Sequence, residues 1–142
     1  MDNTTSILAL LAAYKEAVFR KDITAFVALY DPSVCVFDMW GEWQYEGIEA
    51  WQKMVSGWFS SLGSERVRVG AENVKVVALG ELAMLHGIVS YTAESADGTK
   101  LRAMENRLSW IVKKDAQAWK IIHEHTSAPV DFESSKVMKR VS

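Results

Sequence analysis

Cysteine occurs once, at Cys35, so no internal disulfide can form and no thiolate metal site can be assembled. A reducing compartment, the cytoplasm, is the expectation. Proline is confined to Pro32 and Pro129, and no Pro-, Ser- or Gly-rich stretch divides the chain. Long apolar runs are missing as well. The run Ile7 to Ala13 is far below the ~20 residues that a membrane helix needs, and the polar Met1 to Ser6 lacks the basic start of a signal peptide. Neither sign of charge is in excess: 16 Lys and Arg stand against 18 Asp and Glu, a net charge of −2. Nucleic acid and anionic membrane both ask for a clustered positive surface, so neither partner is expected. Internal repeats, a phosphate-cradling glycine loop, a nucleotide fingerprint and a nucleophile elbow are all absent from the sequence.

What is there is globular. Hydrophobic residues make up 49% and charged residues 24% of 142 residues, enough for one domain that buries roughly 70% of its unfolded surface. The expected division is a single domain over residues 1–130 and a polar tail over 131–142, with Ser134, Ser135, Lys136, Lys139 and Arg140. Six tryptophans are many for this length, and such wide, flat side chains suit a cavity wall or an interface.

Helical spacing dominates the first half. Thr5-Ser6 can cap a helix carrying Ile7, Leu8, Leu11, Tyr14, Ala17 and Val18, and Asp22 can cap a second with Ile23, Phe26, Leu29 and Tyr30, ended by Asp31-Pro32. Val34 to Asp38 alternates as a short strand. Ile48, Trp51, Met54, Val55, Trp58, Phe59 and Leu62 make a strong stripe on a third helix over about 48–61. After Gly63 the period becomes two. Four long strands are predicted over 66–79, 81–95, 99–113 and 118–126, with junctions short enough for an antiparallel meander. Helices first and strands after predict an α+β fold with helices packed on one face of a curved sheet.

Alternation sorts the strand faces. On the last strand Trp119, Ile121, His123 and His125 form the row expected to face the core. On the strand before it, Glu105, Arg107, Ser109 and Ile111 alternate with Met104, Asn106, Leu108, Trp110 and Val112. Two arrangements are open. In one, Glu105 and Arg107 line a cavity while Leu108, Trp110 and Val112, with Ile122, cover a second subunit; in the other Arg107 is solvated.

Tyr14, then Lys21-Asp22-Ile23, then Leu29-Tyr30-Asp31-Pro32 running into Val36-Phe37-Asp38, resemble the opening of the NTF2-like superfamily. Its SnoaL-like and ketosteroid-isomerase-like members are nearest in style. The ending Arg107-Leu108-Ser109, then Trp119 to Pro129, is similar to a SnoaL-like subgroup that includes the association domain of calcium/calmodulin-dependent protein kinases. The resemblance implies a cone of curved antiparallel sheet around three N-terminal helices, a pocket at the open end, and a homodimer through the sheet. Asp38 stands where ketosteroid isomerases keep their proton-shuttling carboxylate, and Tyr14 where they keep an oxyanion-hole phenol. Their third group, a protonated carboxylic acid, has no counterpart in the matching stretch Asn106-Arg107-Leu108-Ser109. Arg107 matches an arginine that the kinase association domain points into its pocket, which implies a carboxylate-bearing or otherwise anionic ligand. Read from the residues alone, Arg107 could equally be held in an ion pair with Glu105 or Asp38.

His123 and His125 point the same way on a strand. A catalytic zinc needs three protein ligands, though, and no third follows from the spacing, so no metal and no cofactor are expected. His123 is a candidate proton donor. Trp40, Tyr45, Trp58, His86 and His125 are candidate ligand contacts, Trp40 and Tyr45 from an aromatic loop beside Asp38. The expected function is binding of a small apolar or carboxylate-bearing molecule in the cone. Cofactor-independent acid-base chemistry at Asp38, of isomerase, cyclase or hydratase/dehydratase type, would accompany it. The alternative is a non-catalytic ligand-binding or oligomerisation module.

Overall fold

The computed structural model describes residues 2–116 and 118–138. Gln117, at the predicted fourth-strand junction, and Lys139 and Arg140 of the predicted tail lie outside the described residues.

Helix α1 (Asn3–Arg20) starts one turn earlier than the Thr5-Ser6 pair suggests. Asp2 caps it, accepting the Thr5 N–H at 2.7 Å, because a carboxylate there both satisfies an orphan donor and meets the positive helix end. Its buried stripe is Ile7, Leu11, Tyr14, Ala17 and Val18. Lys21 turns the chain in the left-handed region (φ 54°), and Asp22 caps α2 (Ile23–Val27) through the Ala25 N–H. That helix is shorter than its apolar spacing implies. Tyr30 belongs to strand β1 (Tyr30–Phe37), and Pro32 is tolerated there because the pairing with its neighbour is interrupted between Tyr30 and Cys35. The two-residue β2 (Tyr45–Glu46) and helix α3 (Ile48–Ser61) follow.

The four long strands fall where the two-residue period places them: β3 (Arg66–Leu79), β4 (Leu82–Glu94), β5 (Lys100–Lys114) and β6 (Trp119–Ser127). They form a six-stranded sheet in the order β2-β1-β6-β5-β4-β3. The sheet is mixed rather than wholly antiparallel, since β1 runs parallel to β6 while every other pair is antiparallel. The helices cover its concave face. Phe26, Val34, Val36, Val55, Leu85, Leu108, Trp110, Val112 and Ile121 are all buried in the core between them.

Two expectations about strand faces are corrected. Leu108, Trp110 and Val112 point into this core, so they cannot cover a partner, and Arg107 lies exposed on the outer face with its Nε donating to Ser127 Oγ at 3.1 Å. Trp119 and Ile121 face inward as read, but His123 and His125 do not. The register with β5 shifts between Ile111↔His123 and Val112↔Ile121, which makes Ile122 an extra residue on β6. A bulge of this kind reverses the parity of everything after it. Glu124 and Thr126 therefore turn inward, and the two histidines turn out.

Candidate functional site

A cavity of about 500 Å³ opens between the helices and the concave sheet. Its walls are aromatic: Phe26 from α2, Trp51 and Trp58 from α3, Trp40 from the loop after β1, and Tyr14 and Tyr91 from α1 and β4. Phe26 is a hub, with ring centroids 5.4 Å from Tyr14, 6.4 Å from Trp51 and 5.8 Å from Phe59. Such a wall favours flat, apolar ligands, with the few polar groups fixing orientation.

Asp38 follows the last residue of β1 on its inward side and lines the cavity. Both oxygens are held: Oδ1 accepts from Thr126 Oγ1 at 3.1 Å, and Oδ2 from the Trp40 N–H at 3.1 Å. Thr126 is fixed in turn by the Met39 N–H at 2.8 Å. Burial raises the Asp38 pKa above the ordinary carboxylate value, and the Trp40, Thr126 and Met39 hydrogen bonds offset part of the rise. Tyr14 Oη and Tyr91 Oη lie 3.0 Å apart in the same cavity. Burial pushes both phenols above their usual pKa, so both stay protonated and can donate.

Glu124 is the second carboxyl of the cavity and is 1% exposed. Its Oε1 accepts two hydrogen bonds, from Tyr30 Oη at 2.6 Å and from Trp110 Nε1 at 2.9 Å. Burial raises its pKa to about 7, against the pull of those two donors and with a further push from Asp38. A carboxylic acid sitting near its balance point at neutral pH can give or take a proton. Sequence reasoning missed Glu124 because simple alternation from Trp119 places it on the outside. A signal was there all the same: the run Ile121-Ile122 breaks the alternation of apolar and polar residues, as a bulge does.

Of the residues predicted from sequence, the cavity brings together Asp38, Tyr14, Trp40 and Trp58. Tyr45 stands behind the wall, its ring on Trp51 at 5.4 Å and its hydroxyl donating to the Trp40 carbonyl at 3.3 Å. His123, His125, His86 and Arg107 are on the outer face. The Nδ1 of His123 lies 2.8 Å from the Cys35 carbonyl, and Phe37 packs edge-on against both His123 and His125. His86 is exposed between Lys75 and Ser109. The cation in the lining is Arg102, whose Nη2 donates to Glu65 Oε1 at 2.7 Å. Among the described residues no group of three or more His, Cys, Asp and Glu is gathered as a metal site, and no helix is long and apolar enough to cross a membrane.

The family model for the SnoaL-like domain matches residues 7–131. Solved structures share the fold. An NTF2-like protein of unknown function from Pseudomonas putida KT2440 is 23% identical, covering 97% of this chain and 96% of its own with a TM-score of 0.82. A Xanthomonas campestris protein provisionally named as a calcium/calmodulin dependent protein kinase II association domain is 17% identical over 91% and 89% of the two chains, TM-score 0.76. A Novosphingobium aromaticivorans protein provisionally named as an aromatic ring hydroxylase is 18% identical over 97% and 90%, TM-score 0.69. No curated protein matches the chain.

Proposed function

We propose that this chain, which belongs to the SnoaL-like family, binds a small, flat, neutral molecule bearing a carbonyl and moves a proton on it without a cofactor. The observation that carries the reading is the Asp38 carboxylate, desolvated in an aromatic cavity that also holds the Tyr14–Tyr91 hydroxyl pair. Asp38 takes a proton from the carbon next to the carbonyl. The electron pair left behind moves onto the carbonyl oxygen, which receives a hydrogen bond from a tyrosine hydroxyl. Asp38 returns the proton to the same carbon or, where a carbon–carbon double bond of the ligand extends the enolate, to the far end of that bond, which shifts by one position. Glu124, protonated, supplies a proton where a hydroxyl must leave instead. Arg107 is outside the cavity, and the cation in the lining, Arg102, is already paired with Glu65, so a carboxylate-bearing ligand finds the Asp38 carboxylate but no unpaired cation among the described lining residues.

The test uses 2-tetralone, an aromatic ketone with acidic carbon-bound hydrogens. Protein-catalysed exchange of those hydrogens for deuterium, followed by proton NMR, is expected to fall roughly 100-fold or more in Asp38→Asn. Exchange that never rises above the buffer rate, or that ignores the substitution, removes the catalytic reading. A second reading, ligand binding without catalysis, is favoured by one observation: both Asp38 oxygens are already hydrogen-bonded within the fold.

A homodimer through the outer sheet face belongs to the same proposal, with different residues from those the alternation picked. Val77, Met84 and Ile111 stand side by side across β3, β4 and β5, all exposed, with the exposed Leu79–Leu82 pair beside them. Ile122 is half-buried at the bulge. The single cysteine supports a cytoplasmic setting.

A further inference from the structure

Asn106 lines the cavity from the inner row of β5, is 7% exposed, and its Oδ1 is fully buried without a hydrogen-bond partner among the described residues. The other two buried polar side chains are matched: Glu124 accepts from Tyr30 and Trp110, and Thr126 accepts from Met39 and donates to Asp38. Trp51 Nε1, on the same cavity wall, is the other buried polar atom without a partner among the described residues. Folded proteins rarely leave a buried acceptor unmatched, because it has lost its water and gained nothing in return. On the same row of β5, Met104, Leu108, Trp110 and Val112 are apolar, and the cavity-lining Arg102 is paired with Glu65. A leucine at 106 would fit that row without leaving an orphaned atom.

We propose that Asn106 is the specificity-determining residue of the cavity, and that the ligand is a neutral ring compound whose hydroxyl donates to the Asn106 carboxamide oxygen. An acceptor oxygen calls for a donor on the ligand. A carboxylate or phosphate brings acceptors alone, it would meet Asp38 and Glu124 in the same space, and the one cation of the described lining, Arg102, is already paired with Glu65. The aromatic walls supply the binding area, and Asn106 tells a hydroxylated ring from a bare one. Sites built to hydrogen-bond a ligand hydroxyl discriminate strongly against the analogue that lacks it, because the site group is then stranded. The inference rests on the reading of this cavity as a small-molecule site.

Three probes of one shape test it by quenching of tryptophan fluorescence: 2-naphthol, naphthalene and 2-naphthoate. The expected result is 2-naphthol binding roughly tenfold or more tightly than naphthalene, with 2-naphthoate weakest. In Asn106→Leu that preference collapses or reverses, and the ligand-free variant melts higher by about 3 °C or more because the orphaned acceptor is gone. Asn106→Ala, a smaller change, is measured in parallel and is expected to lose the same preference. Equal affinities for 2-naphthol and naphthalene, or an unchanged ratio in the variants, overturn the role of Asn106 while leaving the small-molecule site standing. Tightest binding of 2-naphthoate overturns the neutral hydroxyl class. Failure of all three probes to bind overturns the small-molecule reading, and this inference with it.

Discussion

Glu124 joins two demands that oppose each other at a single side chain. Two donors on Oε1 hold its ionised form, while complete burial favours the neutral one, and burial wins to the extent of a pKa near 7. The sign of the effect on stability follows. Between about pH 4.5, where the unfolded carboxyl titrates, and about 7, the folded chain keeps a proton that the unfolded chain has released. Raising the pH through that window therefore destabilises the fold, and above it the full penalty remains. Glu124→Gln keeps the acceptor for Tyr30 and Trp110 but has no proton to lose. Its stability relative to the parent is expected to grow from pH 4.5 to pH 8, by up to about 3 kcal/mol. Urea unfolding at pH 4.5, 6 and 8 checks this, and a difference that shrinks with rising pH would show Glu124 to be ionised throughout. Tyr14 was legible on the apolar stripe of its helix, and Asp38 was singled out by the resemblance to ketosteroid isomerases. Glu124 and Asn106 were not. One lies beyond a bulge, and the other is polar in a row whose direction depended on which neighbour was believed.

The bulge at Ile122 shows how an element can carry information that no single residue does. Each long strand was located from its period of two, yet one extra residue turned the histidines of β6 outward, delivered a carboxyl to the cavity and brought the Thr126 hydroxyl to Asp38. The parallel pairing of β1 with β6 was equally hidden, since alternation gives faces and not neighbours. A second element, the loop over residues 38–45, is held by Gly41 at φ 84°, where an added Cβ would collide with the Tyr45 hydroxyl. That hydroxyl accepts the Glu42 N–H and donates to the Trp40 carbonyl, so it ties the cavity's aromatic lip in place. Gly41→Ala is expected to lower stability by about 1–2 kcal/mol from the backbone conformation alone, and to weaken 2-naphthol binding severalfold by displacing Trp40. Gly98→Ala is the control: its φ of 88° carries the same backbone strain, but open space surrounds it. Equal losses of binding in the two variants would mean that the Tyr45 contact is irrelevant to the lip.

At the scale of the whole molecule, one face of the sheet is fully used and the other is not. Val77, Leu79, Leu82 and Met84 are 64%, 85%, 49% and 45% exposed on neighbouring strands, an apolar patch of the kind that marks an interface. Sedimentation at micromolar concentration is expected to give twice the chain mass of 15.9 kDa. Met84→Glu, at the middle of the row, is expected to give the monomer with Glu124 titration unchanged, since the substitution is on the face away from the cavity. A parent chain that sediments at 15.9 kDa would end the dimer proposal. The α+β class was readable because helical and two-residue periods occupy separate halves of the sequence. The identity of the outer face was not, because apolar residues occur in both rows of β5.

The place of β6 in the sheet also governs the order in which the molecule can be finished. It is the sixth strand made, yet it stands between β1 and β5, and it closes contacts across 88 residues, such as Thr126 to Asp38. During synthesis, β1 and β5 each present an open edge until it arrives, and the two parts of the sheet have no strand joining them. Contacts that span so much chain are slow to form and leave sticky edges waiting meanwhile. The cavity is thus a late product of folding. Glu124, Asp38 and Thr126 come together only when the central strand slides in, so a growing or partly opened chain carries the residues of the cavity but not the cavity.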